Sequence, residues 1–131
     1  MARILLIDDD LAVRTVMRLT LSHFGHTVTE ARNGREGLKL FDEINVDLLI
    51  TDIVMPEADG LEVLMAVAKR RPAVRVLAIS GGGRQTASDH LHVATLLGAT
   101  KVLAKPFSTD ALLAAVNETL AGWSGADATA R

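Results

Sequence analysis

Residues 4–24 read ILLIDDDLAVRTVMRLTLSHF, and the fold follows from that stretch. Ile4 to Ile7 are four branched aliphatic residues with no polar alternation, the pattern of a short strand buried on both faces. Three aspartates, Asp8, Asp9 and Asp10, end the run. From Leu11 to Phe24 the apolar residues Val13, Val16, Met17, Leu21 and Phe24 recur at helical spacing, and Gly25 follows as a stop. Asp10 is placed to cap that helix, because a carboxylate there accepts the free N–H groups of the first turn. A strand, an acidic turn and an amphipathic helix make one βα unit.

The unit repeats. Branched runs at Val46–Thr51, Val74–Ile79 and Lys101–Ala104 read as buried strands, and Thr27–Glu30 reads as an edge strand. Asn33 with Glu36 three residues later is a capping-box-like start that leads into Leu38, Phe41 and Ile44. A helix is predicted over Leu61–Arg71, ending in Lys69, Arg70 and Arg71 before Pro72. Another runs from Ser88 or Asp89 to Leu97 and is stopped by Gly98. Ser108 caps the last, with Leu112, Val116 and Leu120 on one stripe. Strands alternating with helices predict an α/β fold. It is a doubly wound, five-stranded parallel sheet in the order 2-1-3-4-5, flavodoxin-like, with five helices. One domain is expected over residues 1–121, with a flexible tail at 122–131.

Composition removes several functions. The 131 residues carry 14 Lys+Arg against 16 Asp+Glu, a net charge of -2, so there is no positive field for sequence-independent nucleic-acid binding. The absence of cysteine excludes disulfides, zinc-thiolate sites and thiol nucleophiles. Charged residues interrupt every apolar run, and the N-terminal stretch lacks the long apolar region of a signal peptide. No membrane association and a cytoplasmic location are expected.

Ligands of open α/β sheets bind at the carboxyl ends of the strands. There the sequence places Asp8, Asp9 and Asp10, then Asp52, then Ser80 followed by Gly81, Gly82 and Gly83, then Lys105-Pro106. In the predicted order these strands are neighbours, so acids, hydroxyl and amine converge. Crowded carboxylates repel, and a hard divalent cation such as Mg²⁺ relieves that repulsion through oxygen ligands. An aspartate beside Mg²⁺ and a lysine can attack phosphorus. Gly81–Gly83 is not a P-loop, since no Gly-Lys-Ser/Thr follows.

LLIDDD (5–10) with Arg14, TDIVMP (51–56), Asp59-Gly60, ISG (79–81) and KPF (105–107) together resemble the receiver domain of two-component response regulators, over residues 3 to about 121. None of these motifs is specific alone; five in order on the predicted strand ends are. The resemblance implies that Asp52 is the phosphoacceptor, that Asp9 and the backbone carbonyl of Val54 join Asp52 as Mg²⁺ ligands, and that Asp8 acts through water. It implies that Ser80 is the switch hydroxyl, that Gly81 gives a phosphate-binding N–H, and that Lys105 pairs with the phosphoryl group. Lys105-Pro106 is a candidate cis peptide. The implied partners are a sensor histidine kinase or a histidine phosphotransfer protein, and an unknown downstream protein. No output domain follows, so the signal is expected to leave by protein contact or onward phosphorelay. The chain is expected to be no enzyme, assisting only its own phosphorylation and slow dephosphorylation.

Two departures stand out. Val102 occupies the position where the family has Tyr or Phe, so an aromatic switch cannot operate. Val54 and Gly82 offer no polar side chain where the family positions the hydrolytic water, which implies slow loss of the phosphoryl group. The stretch from Ser80 to Lys105 is also longer than usual, implying an altered output face. Taken singly, Asp52 reads as a turn residue, Ser80 as structural and Lys105 as a solvated strand end; their joint placement assigns them. His90 and His92 face different ways on a helix and make no metal site. His23 and His26 read as surface residues flanking a turn, and Lys69, Arg70, Arg71 and Arg75 as complements to a helix C-terminus. A haloacid dehalogenase-like phosphatase is the enzyme alternative, with Asp8-x-Asp10 as its first motif. However, Leu11-Ala12 replace the usual Thr or Val, no acidic pair follows Lys105, and Asp52 is left unexplained. A partner-binding pseudo-receiver is the third reading.

Overall fold

The computed structural model describes residues 2–53, 60–80 and 98–121. The expected helix at 88–97 with its two histidines, the 122–131 tail, Val54 and the Gly81–Gly83 run lie outside the described residues. Five strands are present: β1 (Arg3–Ile7), β2 (Thr27–Ala31), β3 (Leu48–Asp52), β4 (Arg75–Ser80) and β5 (Lys101–Ala104). Four helices are present among the described residues: α1 (Leu11–His23), α2 (Gly34–Glu43), α3 (Gly60–Arg70) and α4 (Thr109–Leu120). The strands pair in parallel in the order β2-β1-β3-β4-β5, as the βα alternation predicts, with β2 at one edge.

Strand periodicity of two splits the core into two layers. Leu5, Ile7, Leu49, Val76 and Ala78 pack with Phe41 of α2 and Val63, Leu64 and Val67 of α3. Ile4, Leu6, Leu48, Ile50, Leu77 and Ile79 pack on the other face with Met17 and Leu21 of α1 and Leu112, Ala115 and Val116 of α4. The central strand β3 is buried throughout, which is why its sequence shows no polar alternation.

The caps are those the sequence implies. Asp10 accepts from the N–H groups of Ala12 and Val13, Asn33 from Glu36 and Ser108 from Ala111. Glu36 reaches back to the N–H of Arg32 rather than to the cap residue itself. At the end of α1, Gly25 (φ 92°) turns the chain, and the N–H groups of Gly25 and His26 return to the carbonyls of Ser22 and Leu21.

Three expectations are corrected. Lys101–Ala104, read as a buried strand, is the second edge strand, with three part-buried residues and Ala104 exposed. Val16 and Phe24 are exposed: Val13, Met17 and Leu21 lie four residues apart on the line that meets the sheet, and Phe24 is already the C-cap. Arg71 does complement a helix C-terminus, that of the neighbouring α2, donating to the carbonyls of Phe41 (3.1 Å) and Ile44 (2.9 Å) while its guanidinium lies over the Phe41 ring. His26 is half-buried, and its Nδ1 accepts from the N–H of Ala2 at 3.2 Å.

Gly60 is where fold and site meet. Its N–H donates to the carbonyl of Ile53, and a Cβ there would collide with the backbone of Asp52 and Ile53. A Cβ on Gly37 would press first on the Cδ1 and Cγ1 of the buried Ile7 side chain rather than on backbone, and would gain helix propensity. Gly60→Ala is therefore expected to cost about 3 kcal/mol, and Gly37→Ala about 1 kcal/mol or less. Urea unfolding of both variants checks this; equal costs would contradict the backbone collision.

Burial holds His26 below its ordinary value of 6.5. The unfolded chain therefore takes the proton first as pH falls. Stability from neutral His26 is complete above pH 6.5 and is lost as pH drops through the folded-state value. An NMR titration should give a midpoint under 6.5 with the Ala2 amide shifting in step; a midpoint at or above 6.5 would refute the buried acceptor.

Candidate functional site

The strand order brings the sequence-distant polar groups to one edge. β1 delivers Asp8, whose N–H is fixed by the carbonyl of Ala31, the last residue of β2. β3 ends in Asp52, in register with Ile79 of β4. β4 ends in Ser80, which is fully buried and whose carbonyl accepts from the N–H of Lys105. The Lys105-Pro106 peptide that follows β5 is cis.

Lys105 closes the site. Its Nζ lies 2.9 Å from Asp52 Oδ2 and 3.1 Å from Asp8 Oδ2. Asp8 is 1% exposed and Asp52 6%, so both carboxylates sit where unpaired charge is costly. Burial of the ammonium pulls its pKa down, but the hydrogen bonds and charges of Asp52 and Asp8 outweigh this and leave it above its ordinary 10.5. The lysine is charged throughout the neutral range, and the pairing is lost only as pH rises through that elevated value.

Carboxylate oxygens of Asp8, Asp9 and Asp52 lie within 4.8 Å of one another, with Asp9 exposed at the mouth. Three carboxylates against one ammonium leave an excess of two negative charges. All the donors are hard oxygens, so the arrangement fits a hard divalent cation and suits no soft metal. The acidic turn is itself braced: Asp8 Oδ1 accepts from the N–H of Asp10 at 2.9 Å, and Arg14 Nη1 donates to the Asp8 carbonyl at 2.7 Å. Thr51 Oγ1 donates to the carbonyl of Asp52 at 3.0 Å.

Of the residues singled out from sequence, Asp8, Asp9, Asp52 and Lys105 are brought together, and Ser80 stands at the adjoining strand end. Val54 and Gly81 lie outside the described residues. Val102 pairs with Ala78 and packs on the core layer under α2 and α3. Two supporting residues were not foreseen. Glu30 takes the Nε of Arg14 at 3.0 Å; its place at the end of β2, level with the acidic turn, is the signal that could have found it. Gly60 was seen only as a motif member, not as the residue that lets α3 start against β3.

No helix among the described residues is long and apolar enough to cross a membrane. Two sequence relationships and one structural likeness place the chain in context. The chain is 35% identical over 120 residues to the chemotaxis protein CheY of Listeria monocytogenes, covering 90% of this chain and 98% of that one. It is 39% identical over 113 residues to the response regulator MprA of Mycolicibacterium vanbaalenii, covering 86% of this chain and 47% of that one. The crystal structure of a response regulator receiver domain protein from Clostridium thermocellum superposes with a TM-score of 0.84 at 31% identity, covering 93% and 96% of the two chains. The response regulator receiver domain family matches residues 4–117, which contain the sheet, the acidic turn, Asp52 and Lys105. By that match, with the two relatives and the shared sheet fold beside it, the chain belongs to the response regulator receiver domain family.

Proposed function

We propose that this receiver accepts a phosphoryl group on Asp52 from a phosphohistidine donor, on a sensor histidine kinase or a histidine phosphotransfer protein. The observation that carries the reading is the Lys105 ammonium shared between Asp52 and Asp8 beside the carboxylate of Asp9. One Asp52 oxygen attacks phosphorus, the phosphorus–nitrogen bond of the donor breaks, and the departing imidazole nitrogen takes a proton. The product is an acyl phosphate on Asp52. Lys105 is charged at neutral pH and holds one carboxylate oxygen, which orients the attack and then offsets charge on the phosphoryl oxygens. The hydroxyl of Ser80 and the N–H of Gly81 are assigned to those same oxygens.

Mg²⁺ is the cation the donor set favours. Asp9, Asp52 and the carbonyl of Val54 would hold it directly and Asp8 through water, and it would neutralise developing phosphoryl charge. Asp10 spends its carboxylate on capping α1, so the second acid of a dehalogenase-like phosphatase is missing from the notch. The output is assigned to protein contact or onward phosphotransfer through the surface around β5 and α4. With Val102 in place of an aromatic, the signal travels through Ser80 and the strand ends rather than through a ring flip. The receiver unit is residues 1–121, and the site works in the cytoplasm.

Incubation with acetyl phosphate or a phosphorylated donor should give one acid-stable, base-labile phosphoryl adduct. Asp52→Asn and chelation of Mg²⁺ should each abolish it. The adduct should persist for minutes or longer, given Val54 and Gly82. An adduct retained by Asp52→Asn would end the assignment.

Lys105→Met should slow adduct formation by about 10²-fold, the scale of losing one charged donor to developing charge. Mg²⁺ binding, followed by amide shifts of residues 8–10, should survive. An unchanged rate would show that the lysine only balances charge in the resting state.

A further inference from the structure

Asp9 is exposed, so its carboxylate is placed by the backbone beneath it and not by a packed pocket. That backbone is the peptide joining Asp8 to Asp9, whose carbonyl and N–H are coplanar. Arg14 holds the carbonyl end through Nη1 at 2.7 Å. The same guanidinium sends Nε to Glu30 Oε1 at 3.0 Å, and its side chain is only 13% exposed. One planar fork thus ties the acidic turn to β2 through two nitrogens whose relative direction is fixed.

An arginine beside a cation site is electrostatically unfavourable unless its charge is taken up. Glu30 does this in part: its second oxygen lies 2.7 Å from Arg18 Nε, so the one carboxylate is shared between two guanidinium charges. Arg14 therefore presents a directed hydrogen bond to Asp8, with Glu30 taking up part of its charge on the side away from the notch.

We propose that Arg14, anchored by Glu30, is a positioning residue for the divalent-cation site: it fixes the Asp8–Asp9 peptide plane and so aims the Asp9 carboxylate. The inference rests on the reading of Asp8 and Asp9 as cation ligands. It makes a prediction opposite to a charge effect. Removing a nearby cation by itself tightens Mg²⁺ binding, whereas losing the brace loosens it.

The test uses the full chain and Mg²⁺ alone, with binding followed by the amide shifts of residues 8–10. Arg14→Met keeps the aliphatic stem and should raise the apparent Kd about tenfold, the lower end of what supporting partners of metal ligands contribute. Arg18→Met, which touches Glu30 but not Asp8, should stay within about twofold. With acetyl phosphate, Arg14→Met should need correspondingly more Mg²⁺ for half-maximal rate while the rate at saturating Mg²⁺ changes little. Equal or tighter Mg²⁺ binding by Arg14→Met would overturn the proposal. A wild-type chain that binds no Mg²⁺ would instead remove the cation-site reading beneath it. Should Arg14→Met not fold, the wild type decides: its Arg14 Nε–H resonance must move with the Asp9 amide as Mg²⁺ is added, and a static resonance refutes the brace.

Discussion

Two carboxylates buried within reach of each other are unstable as a pair unless a cation joins them, and Lys105 is that cation. Asp8 and Asp52 come from strands adjacent in the sheet, so their proximity follows from the β1–β3 pairing. Lys105 comes from β5, at the far edge beyond β4, and its long stem carries the ammonium across to both acids. The mutual stabilisation is conditional: removing the lysine strands two buried anions, and removing either acid leaves a desolvated ammonium with one partner. The site is therefore a property of the whole sheet order and cannot be assembled by any one βα unit.

The same edge shows how local chemistry fixes a turn. Three consecutive aspartates would repel if all pointed one way. Here they divide the labour: Asp10 caps α1, Asp8 turns inward to Lys105 and to the N–H of Asp10, and Asp9 faces out. Each assignment satisfies a different group, namely the free N–H donors of a helix start, a buried ammonium, and solvent. Gly60 completes the edge from the other side, since only a residue without Cβ lets α3 begin against the last peptides of β3.

The strands, their order and the caps were legible because their signals are local: a run of branched residues, a glycine after a periodic stretch, a Ser or Asn two or three residues before free N–H groups. Asp8, Asp9, Asp52 and Lys105 became legible once the order was fixed, since all fall at carboxyl ends. What was not legible depends on side-chain reach between elements. The C-terminal carbonyls of α2 are taken by Arg71, which follows α3, and sequence distance hides that partnership. Glu30 reads as the end of a polar edge strand until α1 is docked and Arg14 meets it. His26 looked superficial because its partner is a backbone N–H at the start of the chain, which no pattern of side chains reveals. Val16 shows the limit of periodicity: it fits the helical spacing, but the sheet contacts a narrower line than the spacing allows.

The shared lysine also bears on how a phosphorylated site would be read without an aromatic. In the resting state Lys105 divides its donors between Asp52 and Asp8. Esterifying Asp52 converts a monoanionic carboxylate into a group whose charge lies further out on phosphoryl oxygens, and the ammonium follows the charge. Lys105 cannot move freely, because its own N–H is bonded to the carbonyl of Ser80, one residue past the β4–β5 pairing of Ser80 with Ala104. The Lys105 backbone is thus tied to β4 while its ammonium is tied to the two acids. Val102, three residues before Lys105, packs on the core layer beneath α2 and α3 with a small, rigid side chain.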